Sequence, residues 1–522
     1  MNTNGTPMAA LAVLAMYGLA SLYVIFYGLH TYLLIWLFHR RRTGRREAQR
    51  ERIKVYRART PEGEWPIVTT QIPLYNEASV ARRVIEAVAA MDYPHGRHEI
   101  QVLDDSTDET RDIVDGVAAR LRREGVDVTV IRRPTRAGYK AGALAHALAL
   151  ARGEVVAVFD ADFVPLADFL RRGVPLLMDR PENACLQGRW THLNAGASWL
   201  TKAQSLAIDG HFVIEQGGRS WNGLALNFNG TAGLWRRAAI EDPAVGGWTA
   251  DTLTEDLDLS YRAQMAGWTV EYCMDLPCPA EVPESIAGLK AQQYRWAKGS
   301  IQTARKLLPV VWRSRFSLGQ RLEATIHLTA YSIAVWMWLL GMLALPLAWI
   351  DPYRIVGDWI LALWAMMSIS LTAPPVAYCY SRRVLGGGWT GVWAVPHLMV
   401  LGAGLCLSNS IAALAGLVQQ GGEFVRTPKT GRLSDGPARR RYRGRASSIW
   451  LLELAASAYC AAGFWAFVRS ENATAGAFLL IYAAGFAVVG LGSRPVSRRR
   501  RPAERAGSAP TLPPLAPAFG EE

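Results

Sequence analysis

Four clusters of polar residues in this 522-residue chain have the types and spacing to do chemistry. Asp160-Ala161-Asp162 brings two hard carboxylates to one turn, a pattern that can hold a divalent cation, which in turn grips phosphate oxygens. Asp104-Asp105 lies upstream of it. Thr254-Glu255-Asp256 lies downstream, and Gln292-Gln293-Tyr294-Arg295-Trp296 follows just before a strongly apolar region. Taken singly these are a turn, a helix N-cap with early acids and a surface helix with one Trp. Their chemistry rests on all four occurring in this order on one chain.

The elements that must position them alternate between strand and helix. Apolar, β-branched runs at 66–74, 99–103, 126–131 and 154–159 predict strands, and helical spacing is found at 79–91, 110–123 and 141–151. The order βαβαβαβ implies a parallel sheet covered by helices on both faces. Such sheets bind ligands beyond the carboxyl ends of their strands, which is where both Asp pairs fall. No Gly-x-Gly-x-x-Gly loop follows the first strand, which argues against a dinucleotide oxidoreductase.

The composition surrounds this domain with membrane. Half the residues are apolar and 19% are charged, which excludes a disordered chain. Apolar runs cover 8–38, 328–350, 359–380, 389–418 and 473–492, and a sixth at 449–468 carries only Glu453. Each is long enough to cross hydrocarbon as a helix. The first is too long for a signal peptide and reads as an uncleaved anchor. Lys and Arg outnumber Asp and Glu by 57 to 44, and the basic clusters abut the apolar runs, marking the cytoplasmic side. All the clusters fall on that side only if 389–420, with its Pro396, Gly402, Gly404, His397 and Asn409, does not cross. Five crossings are therefore expected, with the N-terminus outside, the large domain inside and 389–420 along the cytoplasmic interface. An isolated Glu in lipid is costly, which marks Glu453, and near the same side His30, for functional attention. Nucleic acid is not an expected partner, since no matching motif accompanies the charge. Six Cys without a CxxC pair support neither a disulfide framework nor a zinc site.

With these motifs in hand, the chain resembles the processive, membrane-embedded family 2 glycosyltransferases of the cellulose synthase superfamily. The match is carried by Val102-Leu103-Asp104-Asp105-Ser106-Thr107-Asp108, Gly138-Tyr139-Lys140-Ala141-Gly142-Ala143-Leu144 and Phe159-Asp160-Ala161-Asp162-Phe163. Phe228-Asn229-Gly230-Thr231-Ala232-Gly233 and Gln292–Trp296 carry it further. These segments look most like glucomannan/mannan synthases and xyloglucan-backbone glucan synthases, although Thr254 and Gln293 depart from related patterns. The resemblance implies an α/β GT-A (Rossmann-like) cytoplasmic domain at 60–310, between an anchor and basic flank at 1–46 and transmembrane helices at 311–388 and 446–493. An interfacial helix and gating-like loop would occupy 389–445, and a basic, disordered tail 494–522.

The resemblance also implies roles. Tyr75 and Asp105 would hold the donor's base and ribose, and Lys140 and Arg295 its diphosphate, with Asp160 alongside. Asp162, helped by Asp160, would bind Mg²⁺ or Mn²⁺. Asp256 would be the general base, and Glu255, Gln292 and Trp296 would meet the acceptor. Phe424, Thr427 and Lys429 resemble a gating loop over the donor. His211 and Glu215 lie in a segment that also resembles the plant enzymes, without a role beyond shaping the acceptor site. The implied reaction is inverting transfer from a nucleotide sugar, GDP-mannose or UDP-glucose, to a growing β-linked glycan that is passed across the bilayer. A membrane enzyme adding one sugar to a lipid acceptor shares the Asp-x-Asp and Arg-Trp motifs. A channel or transporter with a non-catalytic cytosolic domain is the reading from another class.

Overall fold

The computed structural model describes residues 8–350, 352–388, 391–422, 429, 431, 449–470 and 476–495. Phe424, Thr427, the basic cluster at 439–445 and the tail after 495 lie outside the described residues.

The sheet is mixed and seven-stranded: β1 (Val68–Leu74), β2 (His98–Asp104), β3 (Val128–Ile131), β4 (Val155–Val158), β5 (Asn183–His192), β6 (Gly233–Arg236) and β7 (Thr269–Ala280). Its order is β3-β2-β1-β4-β6-β5-β7. The first four strands are parallel, as the βαβ alternation predicts, and the short β6 runs antiparallel between β4 and β5. This is the GT-A arrangement expected from the resemblance. Helices α2 (Ala81–Ala89), α3 (Thr110–Arg123), α4 (Tyr139–Leu148) and α5 (Phe169–Met178) cover the two faces. The sheet's period of two sorts β4 between them: Val155 and Ala157 join one apolar core, Val156 and Val158 the other, and all four are fully buried. After β5 come α6 (Trp199–Gly210) and, beyond β6, α7 (Glu255–Met265).

Helix α1 (Met8–Arg59) runs without a break from the apolar anchor past residue 46 to the edge of the domain. Its basic half is fastened to the sheet. Arg46 pairs with Asp275 at 2.7 Å, Gln49 donates to the Tyr272 carbonyl at 2.9 Å, and Arg52 bridges Asp179 and Glu271 at 2.5 and 2.6 Å.

After β7, α8 (Ile286–Arg313) and α9 (Leu318–Leu328) lead into α10 (Ile333–Ile350), α11 (Trp359–Leu371), α12 (Ala373–Val384), α13 (Ala394–Val418), α14 (Ile449–Arg469) and α15 (Phe478–Ser493). Among the described residues five stretches are long and apolar enough to cross a membrane: α1, 330–350, the α11–α12 pair, α13 and α14. The number equals the number of crossings expected, but the members differ. α15 has only 16 residues, and α13, expected along the interface, is among the five. Gly404 and Gly416 of α13 face protein, whereas Pro396, His397 and Gly402 are exposed. A Cβ on Gly404 would meet the Gly485 carbonyl of α15 at 2.2 Å, and one on Gly416 the Lys298 carbonyl of α8 at 2.6 Å. Small residues at such points let helix backbones approach closely. His397 stacks near Trp199 of α6 at 5.6 Å, so α13 follows α8 and α6 at the base of the sheet domain. Glu453 does not face lipid: it is buried against Lys290 of α8 at 2.7 Å, with Ser493 of α15 donating to it at 3.4 Å. His30 is likewise paired, with Glu323 at 2.8 Å, and Glu323 also holds Arg219 at 2.7 Å.

Candidate active site

The site is built at the carboxyl ends of β1, β2 and β4. Leu74 and Asp104 are opposite each other in register, and the Asp105 N–H donates to the Leu74 carbonyl at 3.1 Å, so Tyr75 and Asp105 leave neighbouring strands side by side. The turn after Tyr75 is fixed by Asn76 (φ 53°), whose N–H donates to Ser106 Oγ at 2.9 Å. Beyond β4, the Asp160 N–H donates to Thr231 Oγ1 at 2.9 Å, tying the Asp-x-Asp turn to the segment that enters β6.

From the opposite side come α7 and α8. Glu255 and Asp256 occupy the first turn of α7, where the helix dipole favours negative charge. Gln292, Arg295 and Trp296 sit at i, i+3 and i+4 of α8, on one face. One to two turns further on, α8 props up the Thr254 turn. Thr303 Oγ1 lies 3.0 Å from Thr254 Oγ1, the Leu253 N–H donates to Gln302 Oε1 at 3.0 Å, and a Cβ on Gly299 would come within 2.6 Å of Thr254. Gln292, Arg295 and Trp296 and the Glu255-Asp256 pair therefore share one support.

Tyr75, Asp105, Lys140, Asp160, Asp162, Glu255, Asp256, Gln292, Arg295, Trp296 and Lys429 all line a single cavity. Lys140 reaches Asp160 at 2.5 Å and the Gly230 carbonyl at 2.8 Å. Burial works to lower the pKa of its ammonium, but Asp160, Glu255 and Asp256 together raise it above the ordinary value. Burial pushes Glu255 upward as well, and burial together with the Glu255 charge pushes Asp256 up to about 7. Arg295 is lowered by the same burial, against the pull of Glu255 and Asp160. The cavity thus sets Lys140, Arg295 and Lys429 among Asp105, Asp160, Asp162, Glu255 and Asp256, the last pushed up to about 7.

Lys429 ion-pairs with Asp162 and also donates to the Glu281 carbonyl at 3.0 Å. It follows α13 and reaches the pocket although the rest of the gating-like segment lies outside the described residues. Among the described residues no group of three His, Cys, Asp or Glu side chains is placed to hold a metal ion. Asp160 and Asp162 nevertheless supply two hard oxygen donors at one turn. Mg²⁺ commonly uses one or two carboxylates with substrate phosphates and water completing the shell, so these residues fit such an ion.

Sequence reasoning passed over several lining residues. Arg136 lies over the Tyr75 ring at 3.4 Å and near Tyr139 at 5.0 Å, and Arg133 holds Asp105 through two contacts, at 2.5 and 3.2 Å. Their signal was the basic run directly after β3, at the carboxyl end of the sheet. Trp190, His192 and Asn229 line the opposite wall. His192 is held by Asp209 at 3.1 Å. His211 contacts Glu215 at 2.9 Å and Asn229 at 3.1 Å, so this pair bears on the cavity through Asn229.

Comparison with known proteins agrees with this geometry. A family model described as "Glycosyltransferase like family 2" matches residues 66–299. The chain is 42% identical over 254 residues to glucomannan 4-beta-mannosyltransferase 7 of Arabidopsis thaliana, covering 48% of this chain and 45% of that protein. It is 40% identical over 255 residues to glucomannan 4-beta-mannosyltransferase 2 of the same plant, covering 48% and 47%. The chain spans about half the length of the curated relatives it matches. Among solved structures, mannosyltransferase PcManGT from Pyrobaculum calidifontis in complex with GDP-Man and Mn²⁺ aligns over 76% of this chain and 99% of that one, with 20% identity and a TM-score of 0.47. The strand order, the single cavity at the strand ends and the family match lie on the same stretch of chain: residues 66–299 are similar to a glycosyltransferase family 2 domain.

Proposed function

We propose that the protein is an inverting β-glycosyltransferase that extends a β-linked glycan, of the mannan or glucomannan type, from a nucleotide sugar and passes it across the membrane through its own helices. The observation that carries the reading is the convergence in one cavity of every described residue expected to act on donor and acceptor. The names of the relatives specify mannosyl transfer, which favours a mannose donor; we take GDP-mannose as the first candidate and UDP-glucose as the other.

The steps follow from the side chains. Tyr75 offers an aromatic face for the base, and Asp105, held by Arg133, accepts hydrogen bonds from the nucleoside. Lys140 and Arg295 receive the diphosphate, Arg presenting two donors to neighbouring oxygens. Asp160 and Asp162 would hold a divalent ion, which neutralises charge on the departing diphosphate. The donor phosphates compete with Asp160 for Lys140, and Lys429 would release Asp162 where that carboxylate serves as an ion ligand. Trp296 and Gln292 seat the terminal sugar of the acceptor, the Trp face stacking on its C–H bonds. Asp256, deprotonated above about pH 7, takes the proton from the attacking hydroxyl. That oxygen enters opposite the nucleotide, so an α-linked donor gives a β-linked product. We place the catalytic domain on the cytoplasmic side, where nucleotide sugars are met, with α13 as a helix of that interface.

The test incubates inverted membrane vesicles with labelled GDP-mannose, UDP-glucose or UDP-N-acetylglucosamine, each with Mg²⁺, with Mn²⁺ or with chelator. The product is then digested with linkage-specific hydrolases. A large, β-mannanase-sensitive product made from GDP-mannose, and lost with chelator, is expected. A chloroform-soluble monoglycosyl lipid would replace the polymer with a lipid acceptor, and a product retaining the donor's anomer would overturn the mechanism.

A further inference from the structure

A second cavity, of about 460 Å³, opens where α1, the start of β7 and the corner between α8 and α9 meet. It shares no lining residue with the transfer cavity. Arg45, Arg52, Arg180 and Arg315 line it against Glu182 and Glu271. Arg52 and Glu271 satisfy each other at 2.6 Å, which leaves three arginines facing one glutamate. Arg45, Arg180 and Arg315 are exposed, and none of their guanidinium groups pairs with any described residue. The walls between them include Trp221, Trp268 and Phe316, and the space in front of Gly223 and Gly267 is open. An unneutralised basic cavity with aromatic walls suits a phosphate joined to an apolar body.

Its position says where that body comes from. The α8–α9 corner that supplies Arg315 and Phe316 also exposes Val310, Trp312, Leu318 and Leu322, at 48, 43, 63 and 49%. Apolar side chains beside Arg313 and Arg315 are the pattern of an interfacial amphipathic segment, and α9 leads within a few residues into the apolar α10. Arg45 lies seven residues beyond Phe38, where the first apolar run ends, or about 10 Å along α1. A headgroup layer about 5–8 Å thick is within reach of its long side chain.

We propose that this cavity binds the phosphate headgroup of an anionic phospholipid from the leaflet next to the catalytic domain, with the acyl chains lying against the α8–α9 corner. Basic pockets at this level of membrane proteins select anionic lipids.

The test uses the full chain in nanodiscs of mixed phosphatidylcholine and phosphatidylglycerol, with retained lipid read by native mass spectrometry. Wild type and the distant control R123Q should enrich phosphatidylglycerol. The single variant R180Q should lose about fivefold of that preference and R45Q/R180Q/R315Q about fivefold per arginine, since each basic residue near the surface is worth about 1 kcal/mol. Tryptophan fluorescence and thermal midpoint, unchanged in R180Q, exclude misfolding as the cause. Equal enrichment in wild type and R180Q would overturn the proposal, as would no preference for phosphatidylglycerol in wild type. Uptake of soluble glycerol phosphate without enrichment of the lipid would overturn the membrane source.

Discussion

At the scale of single residues, the cavity depends on one carboxyl that is difficult to ionise. Asp256 is half-buried beside the buried Glu255, and desolvation together with the Glu255 charge pushes its pKa up to about 7. For the free enzyme, kcat/KM should therefore rise with pH through about 7 and level off above it, measured over a pH series at limiting donor. The stability contribution has the opposite sign. Because the folded state binds the Asp256 proton more tightly than the unfolded chain, this group favours folding at low pH and its contribution declines as pH rises from about 4 to 7. D256N keeps the shape of the side chain but removes the proposed base. It should lower kcat by about 10²–10⁴ and leave donor binding, followed by nucleotide-sugar titration, nearly unchanged. D162N should weaken transfer and flatten its dependence on added Mn²⁺, because it removes one of the two oxygen donors at the Asp-x-Asp turn.

At the scale of elements, α8 is the support on which the site rests. Its Gly299 allows Thr254 to lie against the helix, so G299V has to displace the turn that holds Glu255 and Asp256. Overpacking of this kind costs about 1–3 kcal/mol, and kcat should fall with it while the membrane helices stay folded. The other side of α8 is pinned by Lys290 to Glu453. Removing one partner of a buried pair strands the other charge at about 3–5 kcal/mol, whereas replacing both with apolar residues is often near neutral. K290M should thus lower the thermal midpoint in detergent more than K290M/E453M does. The strands β1 to β4 and the acidic turns after them were legible in the sequence because β-branched runs and helical spacing alternate there without interruption. The second half of the sheet was not. β6 has only four residues, and β7, although Val270, Tyr272, Met274 and Leu276 alternate along it, carries Pro277 and Pro279, which argue against a strand in sequence. Gly404 and Gly416 of α13 did signal a face unsuited to lipid. Spacing alone does not say that α8 and α15 cover it, nor that Lys429 meets Asp162 across 267 residues of chain.

At the scale of the whole molecule, the two units are joined less by loops than by a rod. α1 is 52 residues, about 78 Å of continuous helix, and its far half is clamped to β7 and to Asp179 by Arg46, Gln49 and Arg52. Such a strut holds the transfer cavity at one height above the bilayer. The ruler does not shorten between turnovers, so under the proposed polymerising activity each sugar added would be made up for by the glycan slipping forward by one unit, not by the domain rocking back to make room.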